Sequence, residues 1–149
     1  MTQVLFLNNK GIIVPKLIEW FTWSHFDHVE VISPDGLNSA SALEFHGVIE
    51  RPIDTVLAKA KNYTIVEFPA DPVKTYSFVL SQLGKSYDYA SVFGIAFHKN
   101  WNEKNTWFCS DIIAAALASG GLQLFRDNYD RRITPEDLYK LNYKIVKEG

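Results

Sequence analysis

Apolar and polar residues alternate over His28-Val-Glu-Val-Ile32 and again, after the turn residues Ser33-Pro-Asp-Gly36, over Ala42-Leu-Glu-Phe-His46. A period of two is the mark of strands that bury one face. Gly47 leads the second strand into Val48-Ile-Glu-Arg51, so this region is predicted to be an antiparallel meander. Upstream, the apolar run Val4 to Leu7 predicts a strand, and helix-spaced apolar residues from Ile13 to Trp23, after Gly11, predict a helix. Downstream come a helix from Ile53 to Ala60, a strand from Tyr63 to Glu67, and a helix capped by Asp71, begun by Pro72 and stopped by Gly84. Thr134-Pro-Glu-Asp137 opens a last helix in the same way, and Tyr143 to Val146 suits a closing strand. The class is α+β, with most strands in one antiparallel sheet.

One stretch breaks the strand pattern. Ile112-Ile-Ala-Ala-Ala-Leu-Ala118 is small and apolar throughout and is closed by Gly120-Gly121, which predicts a buried helix. The chain's single cysteine, Cys109, falls at its first turn. A lone cysteine is commonly a small buried hydrophobe. At a helix N-terminus, unpaired N–H groups and the positive end of the helix dipole favour the thiolate, which is the nucleophilic form. Cys109 is therefore the candidate nucleophile.

Composition narrows the surroundings of that chemistry. At 149 residues, without an internal repeat, low-complexity tract or Pro/Gly/Ser linker, residues 1–149 are expected to form one domain. A formal charge of −2 offers no basic face for nucleic acid. The first residues lack the basic and long apolar stretches of a secretory signal, and no apolar run is long enough for a bilayer. The expectation is a cytoplasmic protein, or one carried to the cell envelope by another factor, without stable membrane insertion.

A cysteine hydrolase needs a histidine to move the thiol proton and a polar residue to hold the imidazole. All four histidines, His25, His28, His46 and His98, precede Cys109, so a dyad here runs His first and Cys second, the reverse of the papain order. His25, Asp27 and His28 could be drawn as metal ligands, but no further ligand stands at a recognisable spacing, so neither a metal nor another cofactor is expected. His25 reads as a surface residue. His98 lies in a polar segment studded with aromatics, from which Trp101 or Trp107 would shape the substrate cleft or a lid. Asp111, in the first turn, favours the helix terminus but opposes thiolate formation slightly, leaving activation to a histidine.

Trp23-Ser-His-Phe-Asp-His28-Val-Glu-Val-Ile32, Ala42-Leu-Glu44-Phe-His-Gly-Val48, Tyr87-Asp88 and Phe108-Cys109-Ser110-Asp111 together resemble the circularly permuted branch of the NlpC/P60 superfamily, the YiiX/YaeF-like hydrolases. The resemblance runs from about His28 to Ala118 and rests on order and spacing, since each motif is short. It implies a permuted papain-like fold, an antiparallel sheet packed on the helix that carries the cysteine. It also implies Cys109 as nucleophile, His28 as base and Glu44 as the residue that orients His28. Tyr87 would lie beside the nucleophile, and the backbone N–H of Cys109 would help form the oxyanion hole. Asp27, an acid directly before the histidine, departs from the pattern, and residues 97 to 107 match none of it.

Strand parity puts His28, Glu30 and Ile32 on one face and Glu44 with His46 on another, opposite Leu43 and Phe45. With Val29, Val31, Leu43 and Phe45 packed inward, both polar faces look into one cleft. His46 then rivals Glu44; Glu44 is preferred because a carboxylate both fixes the tautomer and stabilises the imidazolium. Glu30 could also touch the imidazole, but reads first as a solvated strand position. The expected function is a cysteine hydrolase or acyltransferase working through a thioacyl intermediate. Its first expected substrate is a cell-wall-type peptide amide, its second a lipid or N-acyl ester or amide. Tyr87, His46 and Trp107 would line the substrate site. The competing expectation is a catalytically idle papain-like module that binds a peptide; oligomeric state is left open.

Overall fold

The computed structural model describes residues 1–9, 25–88, 106–125, 133–141 and 143–149. The predicted helix from Ile13 to Trp23, and His98 with Trp101, lie outside them. Six strands form one sheet: β1 (Thr2–Asn9), β2 (His28–Ile32), β3 (Asn38–Leu43), β4 (Gly47–Pro52), β5 (Ala60–Phe68) and β8 (Lys144–Glu148), in the order β4-β3-β2-β1-β5-β8 with every neighbour antiparallel. Two short strands, β6 (Ser86–Tyr87) and β7 (Thr106–Trp107), pair in parallel beside it. The helices are α1 (Ile53–Leu57), α2 (Pro72–Ser81), α3 (Cys109–Ser119) and α4 (Pro135–Tyr139). The fold is α+β, and β1 to β4 run as a meander.

The sheet buries both faces. Val4 and Phe6 of β1 stand opposite Val31 and Val29, and these join Ala40, Ala42 and Val66 in a core with α2 and α3. From α3, Ile112, Ile113 and Leu117 are fully buried there, each contributing about 1.5–3 kcal/mol of transfer free energy. Leu5 and Leu7 pair with Glu30 and His28 and face the other way, where Ile32, Ile65, Val56 and Ala60 form a second cluster. The small Ala40 and Ala42 fill the core face of β3, beneath the helices.

Local signals account for most ends. The Asp71 side chain accepts from the Lys74 N–H at 3.0 Å, with Pro72 in the first helical position. Thr134 and Asp137 form a reciprocal capping box at α4. The hairpin is where expectation and structure part. The second strand does not run from Ala42 to His46: β3 ends at Leu43, residues 44 to 46 form the turn, and Leu43 pairs with Gly47. Phe45 has φ +64°, a left-handed backbone that cannot continue a strand, and its side chain points outward, 78% exposed, instead of packing inside. Alternation continued past Leu43 on paper; in the chain the turn residues cancel it. Helix α1 is also shorter than its apolar spacing suggested, because Ala60 already opens β5.

Candidate active site

His28 opens β2, and Cys109 opens α3 against that strand. Cys109 acts on the imidazole electrostatically, and the Nε2 of that ring lies 3.1 Å from Glu30 Oε1. Burial, the largest single influence, pulls His28 down. The hydrogen bonds and charges of Cys109 and Glu30 outweigh it and hold the imidazole up, at about 10 against an ordinary 6.5. The cysteine is 1% exposed. Its helix has Phe108 as N-cap with no side-chain cap, so the N-cap side chain satisfies none of the first-turn N–H groups.

Glu30 has no solvent contact, contrary to the solvated position expected for it. Its Oε1 accepts from both His28 Nε2 and the Arg51 guanidinium, and its Oε2 accepts from Ser39 Oγ at 2.5 Å. Burial pushes this carboxyl up, but the His28 hydrogen bond, then the charges of His28 and Arg51 and the Ser39 bond, bring it down to about 2. The partners come from register: Ser39 stands opposite Ile32 on β2 and opposite Arg51 on β4, so Glu30, Ser39 and Arg51 share a sheet face.

Glu44, expected to orient His28, does not touch it by a hydrogen bond. The carboxylate on the imidazole is Glu30, two residues along the same strand. Glu44 stands in the β3–β4 turn with both carboxylate oxygens buried and with no hydrogen-bond partner among the described residues. Burial raises its carboxyl, and the charges of His28 and Asp27 act on it with opposite signs. His46 is exposed, and its Nδ1 lies 3.0 Å from the Glu44 carbonyl, a contact local to the turn.

Aromatic side chains pack in the core that holds Cys109. Tyr87 pairs with Trp107 across β6 and β7, and its buried ring meets Phe108 edge-on with centroids 6.0 Å apart. Trp107 donates from Nε1 to Gln82 Oε1 at 3.2 Å and packs edge-on against Phe78. Ser110 donates to the Ile133 carbonyl and Asp111 accepts from the Ile133 N–H at 3.3 Å, so both side chains bind the chain leading into α4. Asp27 is the pin of the strand entrance: its oxygens accept from the Asn9 N–H at 2.9 Å and Asn9 Nδ2 at 3.0 Å. His25 is exposed at that entrance and donates its N–H to Glu136 at 3.1 Å.

Arg51 and Ser39 were not legible as site residues. One signal was available: Val29-Glu-Val-Ile32 is nearly all apolar, as in strands buried on both faces, and a carboxylate in such a run needs paired donors.

No family model matches this chain, and no curated protein does. Among solved structures the fold is similar to that of "metalloprotein yiiX from Escherichia coli O157:H7, DUF1105", with a TM-score of 0.63 and 16% identity over 94% of this chain and 78% of that one. At that identity the likeness concerns the fold. The yiiX protein is a metalloprotein; in this chain no three His, Cys, Asp or Glu side chains among the described residues gather as metal ligands. Glu30 is engaged by His28, Arg51 and Ser39, and Asp27 by Asn9, which leaves Glu44 as a lone carboxylate, short of the set of ligands that a metal needs. These residues do not fit a metal centre. No described helix is long and apolar enough to cross a membrane.

Proposed function

We propose that the chain is a cysteine-dependent hydrolase of amide bonds, a permuted NlpC/P60 papain-like enzyme in which Cys109, His28 and Glu30 act as nucleophile, proton carrier and orienting carboxylate. One observation carries this reading: the imidazole that opens the strand packed against the helix of the only cysteine is hydrogen-bonded to a buried carboxylate fixed by two further donors. The order of His before Cys and the yiiX-like fold support it.

In the reaction, Cys109 Sγ attacks the acyl carbon with the imidazole holding the thiol proton, and the carbonyl oxygen takes the negative charge beside the first-turn N–H groups of α3. The C–N bond breaks as His28 gives its proton to the leaving amine. Water then adds to the thioester, losing a proton to His28, and Cys109 departs as the carboxylic acid forms. Glu30 holds the ring in place and stabilises its charged form throughout. Cell-wall-type peptides are the first class of substrate proposed.

The test is incubation with muropeptides, N-acyl amides and phospholipids, with Cys109→Ala as control. Release of an amine from a muropeptide by the parent protein and not by Cys109→Ala is the expected result. Turnover retained in Cys109→Ala rejects the mechanism, and turnover confined to phospholipids moves the substrate class to lipids.

A further inference from the structure

We propose that Glu136 is a positioning residue for the catalytic pair: with Ile133 it forms a clasp that ties the strand of His28 to the helix of Cys109. The inference rests on the catalytic reading above and concerns how its two reacting groups are held. Cys109 opens α3 and His28 opens β2, so the distance from sulfur to imidazole is only as constant as the packing of one element on the other. A link that grips both elements at their catalytic ends fixes that distance.

Residues 133 to 136 make such a link. At its start, the Ile133 carbonyl accepts from Ser110 Oγ and the Ile133 N–H donates to Asp111 Oδ1 at 3.3 Å, so the two residues that follow the nucleophile grip one point of the chain. At its end, Glu136 Oε2 accepts at 3.1 Å from the N–H of His25, which stands just upstream of His28, and Glu136 Oε1 lies 3.6 Å from His25 Nδ1. Between the two ends, the capping box of Thr134 and Asp137 and the fixed φ of Pro135 stiffen the link. That box closes the N-terminus of α4 without Glu136, whose buried side chain turns to the entrance of β2 instead. Withdrawing a carboxylate from water is costly, and a donor that offsets the cost here is the backbone leading to the base. Farther along α4, the Tyr139 ring meets Phe26 edge-on with centroids 4.7 Å apart and Phe6 at 5.5 Å, so the same helix also seats the residue after His25.

The attraction between thiolate and imidazolium weakens as they separate, so opening the clasp should make Cys109 harder to deprotonate. The test is the pH profile of iodoacetamide alkylation at Cys109 in the whole chain, read beside the urea midpoint. Glu136→Ala should raise the apparent pKa of Cys109 by about one unit, a loss of about tenfold in rate on the acid side of the profile. Glu136→Gln keeps an oxygen that accepts from the His25 N–H and should restore the parent profile. His25→Ala and Lys140→Ala remove exposed side chains that lie against Glu136 but leave that backbone bond, so both should keep the parent profile.

A Glu136→Ala protein with a lower urea midpoint and the parent's alkylation profile has lost stability alone, and overturns the inference. So does a Glu136→Gln profile displaced as far as that of Glu136→Ala, which would assign the effect to charge. Where Glu136→Ala does not fold, Ser110→Ala opens the clasp at its other end, and an unmoved profile in that variant overturns the inference as well. A parent Cys109 that reacts no faster than free cysteine at neutral pH is a separate outcome: it rejects the catalytic reading itself, and the positioning role with it.

Discussion

His28 and Arg51 donate to the same atom, Oε1 of Glu30. The imidazole and the guanidinium are brought there by different strands, β2 and β4, so the charge that stabilises the histidine is set by a hairpin three strands wide. Ser39 completes the carboxylate from β3. A buried carboxylate with three donors stays ionised, and an ionised carboxylate keeps the imidazole protonated.

That arrangement predicts a large effect at Glu30. Glu30→Gln removes the negative charge from a ring and a guanidinium that remain buried beside it. It should destabilise the fold by roughly 3 kcal/mol, as breaking a buried pair does. It should also lower the pH at which His28 gives up its proton. Arg51→Met should also destabilise the fold and Arg51→Lys less, since lysine keeps the charge but loses the planar fork. The measurement is urea denaturation together with the pH profile of iodoacetamide alkylation at Cys109. An unmoved alkylation profile in Glu30→Gln would remove Glu30 from the orienting role.

Stability should be bounded on both sides of a mildly acidic optimum. His28 is raised from 6.5 to about 10, so its contribution is complete below pH 6.5 and is lost as pH rises through about 10. Glu30 is lowered from 4.5 to about 2, so its contribution is complete above pH 4.5 and is lost as pH falls through about 2. The urea midpoint is expected to be highest between these limits and to decline outside them. In Glu30→Gln the acid decline should shrink. A midpoint that climbs steadily above pH 6.5 would contradict the charged state of His28.

The sheet was legible because its strands alternate or run apolar between clear turn residues, and the cysteine helix because its apolar run ends at Gly120-Gly121. Parity at Glu30 was correct, but parity gives a face and says nothing of what covers it; the face opposite α2 and α3 is itself buried, by Leu5, Leu7, Ile32 and Val56 of α1. The hairpin misled for a different reason. Glu44-Phe-His46 carries a strand's pattern and a turn's backbone, and a phenylalanine at positive φ is a tertiary outcome that periodicity cannot report. Arg51 entered the site only through the register Ser39↔Arg51.

Phe45 offers a direct probe of that turn. Its side chain is mostly exposed, and its left-handed backbone costs an L-residue with a bulky side chain roughly 1–2 kcal/mol. Asparagine tolerates the same conformation, so Phe45→Asn should raise stability by about 1 kcal/mol. Thermal unfolding of the two proteins at one pH decides it. A loss of stability would mean that the phenyl ring contributes more than the strain removes.

Gly47 and Gly36 separate strain from space. Both have positive φ, +73° and +76°, so alanine carries a similar backbone penalty at either, on the order of 1 kcal/mol. Their surroundings differ. A Cβ on Gly36 meets nothing within 4 Å, whereas one on Gly47 would stand 2.2 Å from the Lys85 carbonyl oxygen, which accepts from the Val48 N–H at 2.9 Å. Neither side of that contact can yield cheaply, because both are backbone and the hydrogen bond ties β4 to the segment leading into β6. Gly36→Ala should therefore cost about 1 kcal/mol and Gly47→Ala roughly 3 kcal/mol or more. The effects should also differ in kind: Gly47→Ala displaces the turn that carries Glu44 and the Lys85 strand entrance that leads to Tyr87, so Cys109 alkylation should change with it, while Gly36→Ala leaves alkylation as it was. Equal losses of stability at the two positions would show that the turn moves away from Lys85 without penalty, and that the close approach does not fix the position of Glu44.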